Sequence, residues 1–142
     1  MAAAPVRILA LLAALPLALS ACGQTSKDST KDFQGDQKAV AQTVEDLQKA
    51  ASKSDEGKIC GDLLAPALVA KIKAASKTTC ETALNDALKD SDSFELQVKK
   101  VTLAGSTATA VVESSGGKKT RTDTLQLQKV GAAWKISSLG AR

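Results

Sequence analysis

Histidine and tyrosine are absent from all 142 residues of this chain. Without histidine the protein lacks the usual general base near neutral pH, the usual zinc ligand and the base of Ser-His and Cys-His nucleophile pairs. Aromatic residues make up only 2% of the chain, so we expect an aliphatic core. These absences predict a protein that is not an enzyme and that has no cofactor and no metal site.

A basic stripe interleaved with stacking aromatic side chains is also missing. The formal net charge is +4, a mild excess that by itself predicts no partner, and nucleic acid is therefore not an expected partner. The chain is 44% hydrophobic and 24% charged, which is an ordinary globular balance. Its length suits one domain and is too short for two cores.

The first 21 residues contain the three parts of an export signal. Arg7 supplies the positive start, residues 8 to 19 form an uncharged apolar run, and Ser20 and Ala21 are small. The run is shorter than the roughly 18 residues that a spanning helix needs, and its parts follow the order of a signal peptide. Residues 1 to 21 are therefore predicted to be a signal peptide that is removed.

The four residues at the end of this leader and directly after it, Leu-Ser-Ala-Cys at positions 19 to 22, resemble the lipobox of bacterial lipoproteins. The resemblance implies that Cys22 receives a thioether-linked diacylglycerol and that the leader is cut before it. Two acyl chains anchor a protein stably, so the protein is expected at the extracytoplasmic face of the cell membrane. The alternative is ordinary secretion with cleavage elsewhere and a free Cys22.

Cys60 and Cys80 are the other two cysteines. If Cys22 carries lipid, they form an even pair in an oxidising compartment, which favours a disulfide. Closing a loop of this length stabilises a protein by roughly 3 kcal/mol in the chain-entropy model. Two buried free thiols are the alternative.

Helical spacing begins after a polar segment. Residues 23 to 35 are polar and nearly free of apolar side chains, which predicts a flexible tether after the lipidated cysteine. Asp36 is the predicted N-cap of a first helix. The apolar residues of that helix fall on a single face: Val40, Val44, Leu47 and Ala51.

Three shorter helices are expected next. Pro66 suits the first turn of the middle one, and Thr78 with Glu81 resembles a capping box that opens the last one. The predicted inward residues of the first of these helices are Ile59, Cys60, Leu63 and Leu64, and those of the last are Cys80, Leu84, Ala87 and Leu88.

The apolar period switches from helical to two after Asp92. The alternation that starts at Phe94 slips in phase at Val101, which predicts a β-bulge near residues 99 and 100. Glycine-containing turns at 105, 116 to 117 and 131 separate four short strands. This spacing predicts an antiparallel meander.

Helices followed by such a sheet predict an α+β domain over residues 36 to 142, with the helices packed on one face of a curved four-stranded meander. The opening helix, the cysteine pair, the strand at 107 to 112 and the ending at 125 to 139 make it resemble the cone-shaped nuclear-transport-factor-2-like fold, over roughly residues 36 to 139. With its lipobox, the chain is similar to small actinobacterial lipoproteins of unknown function. Some relatives of that fold are isomerases or dehydratases, which place an acid or base in an apolar pocket with an oxyanion donor that is often tyrosine or histidine.

Four carboxylates lie in or beside the predicted strands: Asp92, Glu95, Glu113 and Asp123. Glu95 alternates outward from its apolar neighbours, which predicts a solvated side chain. Asp123 lies between Thr122 and Thr124 and is expected to balance charge on an exposed strand.

Two further features admit a binding role as well as a structural one. Lys118, Lys119 and Arg121 follow a Gly-Gly turn and are expected to form a solubilising hairpin tip, with contact to anionic lipid or wall polymer as the alternative. Trp134 is expected to be the main core side chain, and lining a ligand cavity is its alternative.

The function that follows is a membrane-anchored, non-catalytic binding or accessory module. Its partner, besides the membrane, would be a protein, a cell-wall component or an apolar ligand. The alternative is an isomerase- or dehydratase-type enzyme of the same fold, which would be indicated by an apolar pocket that holds a buried carboxylate.

Overall fold

A computed structural model describes residues 28–89, 95–116 and 119–140. The predicted leader, Cys22, Asp92, Phe94 and Lys118 lie outside the described residues. Within these three ranges, no helix combines the length and the apolar character needed to cross a bilayer.

Helices precede strands along the chain, and the strands form one antiparallel sheet in the order β1-β2-β3-β4. The helical elements are an N-terminal 3-10 turn at Ser29–Asp32, α1 at Gly35–Ser52, α2 at Glu56–Lys58 with a π-helical turn at Ile59–Leu63, α3 at Pro66–Ser76 and α4 at Cys80–Leu88. The strands are β1 at Glu95–Ala104, β2 at Thr107–Gly116, β3 at Lys119–Val130 and β4 at Ala133–Ser138. The predicted α+β class and four-stranded meander are confirmed.

One irregularity of the sheet falls where the sequence predicted it, whereas a second register shift, in the pairing of β3 with β4, was not predicted. The pairing of β1 with β2 shifts register between Val98 and Lys100, and this bulge keeps Val98 and Val101 on the buried side. Gly105 and Gly131 have φ values of +60° and +63°, a conformation that glycine adopts without steric cost in tight turns. The bulge and two of the predicted turns are therefore confirmed.

The inner apolar face of α1 is also confirmed, although its start is not. Val40 and Val44 are fully buried. The helix begins at Gly35, so Asp36 belongs to its first turn and the N-cap is Gln34, which makes no side-chain capping bond. Asp36 instead interacts favourably with the positive end of the helix and forms an ion pair with Lys129 at 3.3 Å.

Helix α1 covers the free edges of the curled sheet. On β1, the side-chain oxygen of Gln48 accepts a hydrogen bond from the Leu96 N–H at 2.8 Å. On β4, the Thr43 hydroxyl donates to the carbonyl oxygen of Trp134 at 3.1 Å. Unpaired edge groups would otherwise be open to other chains, so the helix both packs against the inside of the sheet and satisfies some of the polar groups at its two edges.

The N-terminal turn corrects the predicted tether over residues 23 to 35. Ser29 is buried; its N–H donates to Oε1 of buried Glu45 at 2.9 Å, and its hydroxyl accepts from the Val98 N–H at 3.1 Å. Asp28 caps the turn. Two hydrogen bonds from Thr30 lower the pKa of the Asp28 carboxyl; the bond from the Thr30 hydroxyl has the larger effect and the bond from its backbone N–H the smaller. The polar side chains thus bind edge groups of the domain, so the tether prediction fails from Asp28 onward.

The predicted start of α3 is confirmed, whereas that of α4 is displaced by one residue. Pro66 is the first residue of α3, as predicted. The cap of α4 is Thr79, whose hydroxyl oxygen accepts from the Thr82 N–H at 3.2 Å, so the predicted cap at Thr78 was wrong. The two threonines are adjacent, and only the path of the backbone decides which one reaches that N–H.

The predicted disulfide is confirmed. Cys60 and Cys80 are bonded with their Cα atoms 6.1 Å apart. Cys60 lies in the π-helical turn and Cys80 opens α4. The bond therefore links the start of α4 to the π-helical turn.

Candidate functional site

The inner face of the sheet, which is the face toward the helices, has one filled half. Its side chains are almost completely buried and belong to the same core cluster as Val40 and Val44 of α1. We call this part the closed half; it consists of Ala108, Ala110, Leu127, Trp134 and Ile136, each at most 4% exposed.

The other half of the inner face opens into a cavity of about 370 Å³, which is large enough for a small organic ligand. We call this part the open half. The sheet lines it with Leu96, Val112, Arg121, Asp123 and Leu125, the helical layer with Leu47, Ala51, Ile59, Leu84 and Leu88, and the chain end with Leu139 and Gly140. Ile59, Val112 and Leu125 are buried, whereas Leu139 is 47% exposed, so the cavity has an apolar floor and a wet rim.

The polar part of the cavity comes from β3. Arg121 and Asp123 alternate with outward residues and lie on the same face as buried Leu125. Asp123 is directly opposite Val112, and Arg121 is opposite Ser114. The inner face of β3 thus changes from aliphatic to charged where it enters the open half.

The charged side chains at the rim are not joined to each other. No ion pair that involves Arg121 or Asp123 is found within residues 28–89, 95–116 and 119–140. The Ser114 hydroxyl lies 3.4 Å from Oδ2 of Asp123, a long contact between exposed groups. Arg121 and Asp123 are both exposed, so the donors of Arg121 and the acceptors of Asp123 are accessible from the cavity mouth.

Helix α4, which is mostly exposed, forms the cavity wall opposite β3. In α4 only Cys80 is buried, and Leu84 and Leu88 are half-buried and line the cavity. The disulfide fixes the first turn of this helix, and Leu88 in its last turn lines the open half. Part of the cavity therefore lies under α4, whose side chains do not fill it.

Trp134 lies in the core and is not among the residues that line the cavity. It is 4% exposed, and Lys129 Nζ lies 5.7 Å from the centre of its ring. Its buried indole N–H has no hydrogen-bond partner within the described ranges. The predicted burial of Trp134 in the core is therefore confirmed.

Asp123 lies on an exposed stretch of β3, as expected. The sequence did not predict that this stretch enters a cavity, where Asp123 shares the inner face with Arg121, a residue assigned to the hairpin tip. The alternation of β3 contains the missed signal, because both residues share parity with Leu125 and Leu127. Glu95 is exposed, as expected, and so is Lys119 at the hairpin.

Among the described residues, the buried carboxylate lies outside the cavity. Glu45 is 7% exposed and accepts a hydrogen bond from the N-terminal turn, outside the cavity lining. Asp123, the carboxylate among the described lining residues, is exposed. No cluster of acidic or cysteine side chains suited to a metal ion occurs in the described part of the chain.

Comparison with known proteins agrees with this architecture. A family model described as "Putative lumazine-binding", which is of nuclear-transport-factor-2-like type, matches residues 35–138. The match spans α1 to α4 and all four strands. No curated protein and no solved structure matches the chain significantly.

Proposed function

Because this chain belongs to the family described as "Putative lumazine-binding", we propose that it is a non-catalytic module that binds a small ligand in the open-half cavity. The lipid on Cys22 holds it at the outer face of the cell membrane. The observation that carries the proposal is the cavity itself, about 370 Å³ with aliphatic walls and charged groups at one rim.

Such a cavity has the features of a small-molecule site. Ligand sites in proteins are typically apolar clefts of roughly 300 to 1,000 Å³ with a few polar groups that orient the ligand. Here the polar groups are Arg121 and Asp123 at one side of the mouth. The family description names lumazine, a small heterocycle, so lumazines are the first ligands to test.

The non-catalytic role is supported by the residues at hand. The enzymatic alternative calls for a buried acid or base and an oxyanion donor in the pocket. The chain has no histidine and no tyrosine, and Asp123 at the cavity is exposed. A solvated carboxylate is a weak general base, so binding is the better-supported activity.

Anchoring through Cys22 is supported by the sequence of residues 1 to 22 and has a geometric consequence. Ser29 is docked on the domain and follows Cys22 by 7 positions. An extended chain spans at most about 3.6 Å per residue, so the anchor lies within roughly 25 Å of the docked turn. A lipidated Cys22 therefore keeps the domain next to the membrane surface.

Filling the cavity tests the binding function. Ala51→Leu places a larger side chain in the lining and should abolish binding of 6,7-dimethyllumazine, measured by its fluorescence. Ala39→Leu is the matched control, because Ala39 is an exposed residue of the same helix. Equal affinities of both variants and the wild type would place the ligand site elsewhere.

Labelling tests the anchor. Cys22→Ala should leave an uncut precursor that incorporates no radiolabelled fatty acid, whereas the wild type incorporates it. Label on the variant would refute lipidation at Cys22.

A further inference from the structure

Arg121 and Asp123 present opposite hydrogen-bonding chemistry at one rim of the cavity. They are two positions apart on the same face of β3, so their Cα atoms are roughly 7 Å apart. No ion pair joins them within the described residues. A gap between a donor group and an acceptor group is therefore open to a ligand.

The rest of the lining restricts what can enter. The other described lining residues are leucine, isoleucine, valine, alanine and glycine. A polar ligand group placed among these side chains would lose its hydrogen bonds to water without replacement. A ligand must therefore have an apolar body, with its polar groups gathered at the end that reaches Arg121 and Asp123.

The two charges restrict the polar end further. Arginine only donates hydrogen bonds, and an ionised aspartate only accepts them. A carboxylate on the ligand would suit Arg121 but would repel Asp123, and a cationic group would do the reverse. A neutral edge in which a carbonyl adjoins an N–H satisfies both.

We propose that the cavity takes a neutral ligand with an apolar body and an amide or imide edge. Arg121 donates to the carbonyl oxygen of that edge and Asp123 accepts from its N–H, an assignment that rests on the proposed binding function. Alkylated lumazines have such an edge on their dione ring and their alkyl groups on the opposite side.

The test uses the mature lipidated protein in nanodiscs, with the signal of empty nanodiscs subtracted. The probes are 6,7-dimethyllumazine, its N1,N3-dimethyl derivative, which lacks both ring N–H groups, and decanoate, an anionic amphiphile. Asp123→Ala and Arg121→Ala should each weaken binding of 6,7-dimethyllumazine roughly ten- to hundredfold, the loss expected for a hydrogen bond to a charged group. Asp123→Ala should cause no further loss with the N1,N3-dimethyl derivative, because the bond it removes is already missing.

Matched controls separate this effect from general charge. Glu113→Ala removes a carboxylate whose residue lies on the outer face of the same hairpin, opposite Thr122, and Lys119→Ala removes a cation outside the cavity lining. Both should leave the affinity unchanged. Decanoate should bind the wild type more weakly than 6,7-dimethyllumazine does, and Asp123→Ala should tighten its binding.

Three results would overturn the proposal, and they differ in what else they overturn. If Asp123→Ala leaves the affinity for 6,7-dimethyllumazine unchanged or raises it, the ligand class is wrong. If decanoate binds the wild type more tightly and Ala51→Leu abolishes that binding, the cavity is still a ligand site but takes anionic amphiphiles. If no probe binds the wild type, the binding function fails together with the ligand class.

Discussion

The closed and open halves of the inner face share strands β2 and β3, yet one half is filled and the other encloses a cavity. In the closed half, β2 contributes the small side chains Ala108 and Ala110, over which the 18-residue α1 packs with Val40 and Val44 fully buried. The open half is covered by the end of α1, the π-helical turn and α4, and in α4 only Cys80 is buried. The difference therefore lies in the covering helices, because both halves have aliphatic sheet positions.

The two halves also differ in their charged side chains. The closed half contains only aliphatic residues and Trp134, whereas the open half includes Arg121 and Asp123. An unpaired charge is costly inside a dry core but is tolerated at a wet rim. The position of charged residues on an inner strand face thus indicates which half of the sheet stays open.

Trp134→Ala breaks the closed half and should have the largest effect. Removing this buried side chain should lower the free energy of unfolding by roughly 3 to 5 kcal/mol, measured by urea denaturation. Lys119→Ala, at an exposed position, should change it by less than about 0.5 kcal/mol. Similar small losses for both variants would show that the closed half is not the main source of stability.

Loss of the disulfide loosens the wall of the open half. The double variant Cys60→Ala/Cys80→Ala should lose roughly 3 kcal/mol, because the unfolded chain regains the entropy of an open loop. Calorimetry should show the lower melting temperature, and reduction of the wild type should reproduce it. An unchanged melting temperature would mean that α4 is held without the bond.

Truncations in the two halves compare their packing directly. Val44→Ala in the closed half should cost roughly 2 kcal/mol or more, because it removes buried atoms and leaves a void. Leu88→Ala in the open half should cost only about 1 kcal/mol, although it removes more atoms, because Leu88 is half-exposed and already faces empty space. Equal losses in denaturation experiments would contradict the distinction between the halves.

The smallest effect is expected at the N-terminal turn, which covers part of the edge of β1, the strand that lines the open half with Leu96. The pKa of Asp28 is lowered from its ordinary value of 3.8 by the hydrogen bonds from Thr30. Its carboxylate therefore stabilises the fold above pH 3.8, and this contribution is lost as the pH falls through the lower pKa of the folded state. Asp28→Asn should be slightly less stable than the wild type at pH 7, and the difference should vanish in strong acid; a difference that persists there would exclude the carboxylate as its cause.

Much of the fold could be predicted because its signals are local. The stripe of Val40 and Val44, the bulge after Val98 and the cysteine pair each follow from spacing along the chain, and the structure confirms them. The failed predictions concern positions with two possible roles. Ser29 belongs to a polar segment that is typical of a tether, and only the free N–H groups of the β1 edge and the acceptor of Glu45 make it part of the domain.

Local patterns along the chain are enough to predict the α+β class, the meander, the disulfide and the predominantly aliphatic interior, since these depend on periodicity and composition. Three features are visible only in the folded molecule: α1 fills one half of the sheet, the cover of the other half leaves a cavity, and Arg121 and Asp123 lie at the mouth of that cavity. Alternation assigns a side chain to a face of a strand, whereas burial depends on how closely an element distant in sequence packs against that face.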